Sequence, residues 1–180
     1  MPGSTTDWAL PYPLYTDPAA GAAQLQALAE AIDDAHEQIA AEIAAIGQRT
    51  AAAVYGSAAQ SLANNTSVQL TFSTTEFDNG LTVNLGTGDL TVVTPGWYWV
   101  SAWVRIAANS TGNRQIYIRQ DTSPIGYLRS QTVASPDTTV LTANALTFFT
   151  AGQSINMQAA QDSGGALNAT NRRLAAVRVA

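Results

Sequence analysis

The chain contains no cysteine and no lysine, one histidine and two methionines in 180 residues. Without cysteine there is no disulfide framework and no thiolate metal site. The redox compartment stays open on this count. A single histidine, His36, lies far along the chain from the hydroxyl-rich C-terminal part, so no Ser-His-Asp arrangement can be assembled there. Missing lysine means that all eight basic residues are arginine. Lysine codons are AT-rich, so this usage and the abundant alanine point to a GC-rich genome. No apolar run reaches the roughly 20 residues that span a bilayer, and no membrane insertion is expected. A basic segment followed by an apolar one is also missing at the N-terminus, so no signal peptide is read. Basic residues form no cluster of the kind that tracks nucleic acid, and none is expected as a partner.

Charge is unevenly placed. Residues 1–60 carry seven acids and one base, Arg49, whereas residues 61–180 carry six acids and seven arginines. Three segments follow from this and from the side-chain pattern.

Residues 1–17 form a leader punctuated by Pro11 and Pro13, with Pro18 just beyond. Proline favours extended backbone over helix. Trp8, Leu10, Tyr12, Leu14 and Tyr15 are five large apolar residues in eight positions. A solvated tail rarely carries so many. The leader therefore reads either as a disordered terminus or as an extended peptide that docks on another protein.

Asp17-Pro18 is a helix start signal, with aspartate as N-cap and proline at the first helical position. Residues 18–56 then read as a helical stalk rich in Ala, Gln and Glu. Its large apolar residues are Leu25, Leu28, Ile32, Ile39, Ile43 and Ile46, spaced 3, 4, 7, 4 and 3 apart. The stripe is narrow, which suits a coiled-coil seam, and repeated isoleucine leans toward three or four strands. Such a helix would be on the order of 45 Å long. Gly56 is the expected helix end or linker. His36 reads as a solvated side chain or as one member of a symmetry-related ring in the coiled coil.

From about Leu62 the texture changes to Thr, Val, Asn and Gly. Eight or so short strands separated by turn residues predict an antiparallel sandwich or barrel over residues 57–180. The most pronounced strand is PGWYWVSAWVRI, Pro95 to Ile106. Alternation puts Tyr98, Val100, Ala102, Val104 and Ile106 on one face. Trp97, Trp99, Ser101, Trp103 and Arg105 share the other. Both faces are largely apolar, so one should enter the core and the other needs a lid. A sugar platform and a membrane patch are the competing readings of the tryptophans.

Phe72, Asp78, Val83, Leu90, Gly96, Tyr98, Val100 and Ala102 reproduce a spacing without insertion. In it this stretch resembles the complement-globular-head and tumour-necrosis-factor superfamily. FFTAGQSINMQA and the closing RRLAAVRVA are similar to later strands of that family. The resemblance covers roughly residues 62–180. It implies a jelly roll that assembles as a trimer, with Trp97, Trp99 and Trp103 at the contact between subunits. The leader and helix look like the start of tail-fibre or minor tail proteins of phages infecting actinobacteria. That second resemblance implies attachment to baseplate or tail-tip proteins through the leader.

No catalytic set is legible. Glu76, Asp78, Asp89, Asp121, Asp137 and Asp162 are scattered mostly in turns, although a facing carboxylate pair cannot be read out of a sequence. Gly86-Thr87-Gly88 lacks the third glycine of a dinucleotide site and reads as a hairpin turn. Asp162-Ser163-Gly164-Gly165 lacks the ligand count of a calcium loop. No metal and no cofactor are expected.

The reading is thus a mainly β chain: a jelly-roll head behind an α-helical trimeric coiled coil and a docking leader. Its expected role is that of a homotrimeric phage tail protein of the virion that recognises a host cell-surface glycan. The alternatives are a secreted complement-like adhesion or signalling head and a polysaccharide depolymerase. Binding is expected in the loops Ala107–Asn113, Asp121–Gly126, Ser135–Thr139 and Asp162–Asn171, through Asn109, Arg114, Tyr127, Arg129, Asp162, Asn168 and Arg172.

Overall fold

The computed structural model describes residues 3–4, 11–12, 21–47, 49–131 and 138–179. It divides into two compact units, Met1–Gln48 and Arg49–Ala180. In the first, two short strands, β1 (Gly3–Ser4) and β2 (Pro11–Tyr12), pair antiparallel, Gly3 opposite Tyr12. Helix α1 spans Gly21–Gly47. Leu25, Ile32 and Ile39 recur every seventh residue along it and are exposed, at 69, 42 and 40%. Leu28 is half-buried and His36 exposed. Trp8, Leu10, Leu14, Tyr15, Asp17 and Pro18 lie outside the described residues, as do the side chains of Tyr12, Ile43 and Ile46.

The second unit holds strands β3 (Ala51–Gly56), β4 (Gln60–Leu62), β5 (Thr66–Gln69), β6 (Thr74–Asn79), β7 (Leu81–Asn84) and β8 (Asp89–Val92). These are followed by β9 (Gly96–Ile106), β10 (Asn113–Gln120), β11 (Ser123–Gln131), β12 (Thr139–Phe149), β13 (Ser154–Gln161) and β14 (Leu167–Arg178). One sheet has the order β11-β10-β13-β8-β7. The other has the order β12-β9-β14-β3-β6, with β4 also paired to β14. All these pairings are antiparallel.

The alternation expected of β9 is observed. Tyr98, Val100, Ala102, Val104 and Ile106 are fully buried between the sheets. Tyr98 meets Phe149 edge to face, centroids 5.7 Å apart, and its hydroxyl donates to the Thr94 carbonyl at 2.7 Å. Leu90, Ile116, Ile118, Ile155 and Met157 complete this core from the opposite sheet. Asp78, expected from the family spacing, closes the β6–β7 turn by accepting from the Leu81 amide at 3.2 Å. Gly86-Thr87-Gly88 is a hairpin turn, between the paired Asn84 and Asp89. Gly88 has φ +79°, and a Cβ there would run into the Leu70 carbonyl, so the turn requires glycine.

Three expectations are corrected. The helix ends at Gly47, not Gly56, and the boundary between units falls at Gln48/Arg49. Ala51–Gly56 is a strand because β14 and β6 flank it on either side. Those two ladders override the helix preference of its alanines. Asp121–Gly126 is not a loop throughout, since β11 begins at Ser123 and a register shift near Ile118 and Arg119 accommodates Pro124. The segment Asp162–Asn171 is likewise strand from Leu167 onward, with a shift in register between Ala169 and Arg172. The part of Ser135–Thr139 up to Asp137 lies outside the described residues.

Candidate functional site

Two outward faces of the sandwich carry side chains that the core does not use. The first belongs to the sheet with β9. Trp97 is 48% exposed and Trp99 46%, while Trp103 is half-buried. Register brings in residues from neighbouring strands. Phe148 lies opposite Trp97, and Leu146 opposite Trp99. On the other flank Val177 pairs with Trp99, Arg173 with Trp103, and Tyr55 with Arg173. Trp97 and Phe148 pack edge to face with centroids 6.0 Å apart, and Tyr55 and Trp103 are tilted at 51° with centroids 6.4 Å apart. Val140, Leu146, Phe148, Phe77 and Val179 are all exposed large apolar residues of the second unit. Glu76 accepts from Arg173 Nε at 2.6 Å on this sheet. Its apolar part, Trp97, Trp99, Leu146, Phe148 and Val177, crosses β12, β9 and β14, while Ser101 and Asn144 stand between it and Trp103. An exposed apolar patch of this kind marks an interaction site. The tryptophans of this face are legible in the sequence. Val140, Leu146 and Phe148 join them in the structure, and the alternation of Val140, Thr142, Asn144, Leu146 and Phe148 on β12 is the signal that carries them.

The second face belongs to the sheet with β10. Gln115, Tyr117 and Arg119 alternate outward there, against buried Ile116 and Ile118. Tyr127 on β11 pairs with Tyr117 and stacks on it, centroids 5.1 Å and planes 30° apart. Tyr127 is 53% exposed. The Tyr117 hydroxyl donates to Gln115 Oε1. Burial, then the neighbouring Tyr127, holds that hydroxyl above the ordinary tyrosine value, with Arg129 opposing. It is therefore a protonated donor at neutral pH. On β13, Gln158 Oε1 accepts from Arg119 Nη1 at 2.7 Å and from Ser67 Oγ at 2.8 Å. Between β10 and the start of β5 lies an open groove of ≈ 290 Å³, with Ala160 and Asp162 in its lining. Strand β5 is held beside β13 by hydrogen bonds that the Asn65 N–H donates to the Gln161 carbonyl and the Leu70 N–H to the Met157 carbonyl.

The expected binding residues divide into two groups. Tyr127 and Arg129 are exposed on β11, and Asn168 is exposed on β14. Asp162 accepts from the backbone and side-chain amides of Asn113. These bonds, side chain first, hold its carboxyl below the ordinary range; partial desolvation opposes them, and Arg129 and Arg114 assist. Gly112, at φ +74°, passes so close to Asp162 that a Cβ would collide with it.

Arg114 and Arg172 are corrections: neither is available to a ligand. Arg114 is fully buried and donates to the carbonyls of Thr111, Asn113 and Asn109 at 3.0–3.1 Å. Asn109 accepts from the Thr111 amide through its own side chain, so it too serves the turn. Arg172 is 3% exposed and donates to the carbonyls of Thr71 and Ala58 at 2.6 and 2.7 Å. Burial pulls both guanidinium groups below their ordinary value. Each ties loop carbonyls together. In sequence they looked like charged loop margins, because nothing local reveals a carbonyl cluster contributed by distant segments.

Among the described residues, no group of three or more His, Cys, Asp or Glu is placed to hold a metal ion. No helix among them is long and apolar enough to cross a membrane.

Solved structures share this arrangement of two sheets. The globular domain of zebrafish complement 1qA superposes with a TM-score of 0.55 at 15% identity, covering 73% of this chain and 98% of that one. The fold is a complement-head and tumour-necrosis-factor-like jelly roll. Eiger TNF from S. frugiperda gives a TM-score of 0.57 at 13% identity, over 74% of this chain and 94% of that one. The PRD1 vertex protein P5 gives 0.53 at 14% identity, over 73% and 97%. No family model matches the chain. An uncharacterized protein of Acanthamoeba polyphaga mimivirus is 31% identical over 108 residues, 56% of this chain. The chain spans less than half, 45%, of that relative's length.

Proposed function

We propose that this chain is a homotrimeric virion protein that binds and positions and does not catalyse. In this reading the leader, residues 1–17, attaches it to baseplate or tail-tip proteins, α1 self-associates, and the jelly-roll head contacts a glycan of the host surface. The observation that carries the reading is the apolar face of β12, β9 and β14. Trp97, Trp99, Leu146 and Phe148 are each about half exposed there, on a sheet whose opposite face is already the core. Water contact at such a face is costly, at roughly 25 cal/mol per Å² of apolar surface. A second copy presenting the same patch would cover it, and the threefold arrangement is what the family resemblance implies. The seven-residue recurrence of exposed Leu25, Ile32 and Ile39 supports self-association independently. A viral setting is supported by the mimivirus relative and the vertex-protein likeness.

Light scattering on the full chain tests assembly, with three times the 18.8 kDa chain mass expected. A single-chain mass would overturn the reading. Purified protein mixed with cells of the host tests recognition: bound protein is expected, and none bound would leave a spike or spacer without a receptor role.

A further inference from the structure

The groove on the second face has features that the fold itself does not require. Its lining of eight residues includes Asn65, Ser67, Gln115, Tyr117, Ala160 and Asp162. Ala160 faces outward, directly opposite Gln115 in the β10–β13 register. The buried neighbour, Ala159, belongs to the core. The depression therefore exists because a methyl group stands where a longer side chain would fill it. Its walls are amides and hydroxyls, groups that both donate and accept hydrogen bonds. One wall is an aromatic ring, Tyr117, backed by the stacked Tyr127. Of the lining residues only Asp162 carries charge at neutral pH. Its bonds to Asn113 hold it as a carboxylate. A volume of ≈ 290 Å³ lies just under the range of small-molecule sites, roughly 300–1,000 Å³, and suits a ligand of one ring.

From this we infer that the groove over Ala160 is a binding subsite for one neutral pyranose ring. Sugar hydroxyls donate and accept, matching Gln115, Ser67 and Asn65, and Asp162 is an acceptor for a pair of them. The apolar C–H face of a pyranose matches the Tyr117 ring. Asp162 is the charged member of the lining, and a phosphate, sulfate or uronate in the groove would meet its like charge at closer range than the charges of Arg129 or Arg114, which lie outside the lining. This inference takes the glycan part of the proposed function and moves it from the loops to the sheet. Several copies per assembly would compensate for a weak single site through avidity.

The test is saturation-transfer NMR on the full chain with glucose, galactose, mannose, N-acetylglucosamine, rhamnose, arabinose and glucuronate, each at millimolar concentration. At least one neutral sugar is expected to receive saturation at its ring C–H protons, and glucuronate less. Ala160→Leu, which fills the groove from its floor, and Tyr117→Ala, which removes the wall, should each abolish the transfer. Tyr117→Phe should retain most of it. Should Ala160→Leu fail to fold, the Tyr117 pair still decides. No transfer to any neutral sugar overturns the inference, as does transfer that survives both Ala160→Leu and Tyr117→Ala. Stronger transfer to glucuronate than to every neutral sugar overturns the assignment of charge. Host-cell binding that persists in Ala160→Leu leaves recognition standing while the groove falls. Loss of cell binding in the wild type, with sugar transfer intact, does the reverse.

Discussion

Asp162 shows how much one side chain organises in this head. It accepts two bonds from Asn113, forces glycine at position 112 and adjoins the groove. Its folded carboxyl titrates below the ordinary value, with the bonds from Asn113 as the largest cause. The unfolded chain takes up its proton first as pH falls, so the linkage sign is that of a depressed acid. The stabilisation is complete above the ordinary carboxylate range and is lost as pH falls through the lowered folded value. Thermal midpoints of wild type and Asp162→Asn, compared from neutral pH downward, should converge in acid. Equal separation at every pH would show that Asp162 contributes nothing through its charge. Arg114 and Arg172 act at the same scale. Each guanidinium gathers loop carbonyls, and a charged donor suits that because its bonds are stronger than neutral ones.

At the scale of the element, β9 joins the two halves of the molecule's chemistry. One face is core and the other is the apolar patch, and adjacent residues along the strand serve different purposes. Tyr98→Ala should destabilise the subunit by about 3–5 kcal/mol, the usual cost of truncating a buried aromatic. It also loses the contact with Phe149 and the bond to Thr94. Trp99→Ala should leave a dilute subunit's stability nearly unchanged and weaken association by about 2 kcal/mol, as a central interface aromatic does. Denaturation read at several protein concentrations separates the two. Concentration dependence unaltered by Trp99→Ala would remove the tryptophan face from the interface. The strand pattern also shows what sequence reading can reach. The alternation of β9 was legible because it runs uninterrupted through eleven residues. That of β11 is not, because Pro124 reads as a turn residue and Asp121–Gly126 therefore as a loop, up to the residue before Tyr127. Strand β3 was hidden by its three alanines, whose intrinsic preference is helical and whose strand state exists only through β14 and β6.

For the whole molecule, the division into two units sets the logic of a truncation. Among the described residues, the head's core is built from residues beyond Arg49. Deleting Met1–Thr16 removes the leader and leaves both α1 and that core. The shortened chain should remain soluble, folded and self-associated, while failing to enter particles in an incorporation assay. Truncated protein recovered in particles at the wild-type ratio would move the attachment site elsewhere.

The sequence by itself determined the division of labour: an acidic helical part, then an antiparallel β part with an apolar strand too rich for one partner. It also determined the faces of β9, since a side chain's side of a strand follows from backbone geometry alone. Only the tertiary structure decided which strands stand beside one another, because register depends on residues far apart in the chain. That pairing placed Leu146 and Phe148 next to the tryptophans and turned a stripe into a patch. It set Ala160 opposite Gln115 and opened a groove that no local pattern announces. It buried Arg114 and Arg172 as well, because a charge lies inside or outside according to the carbonyls that distant segments bring to it.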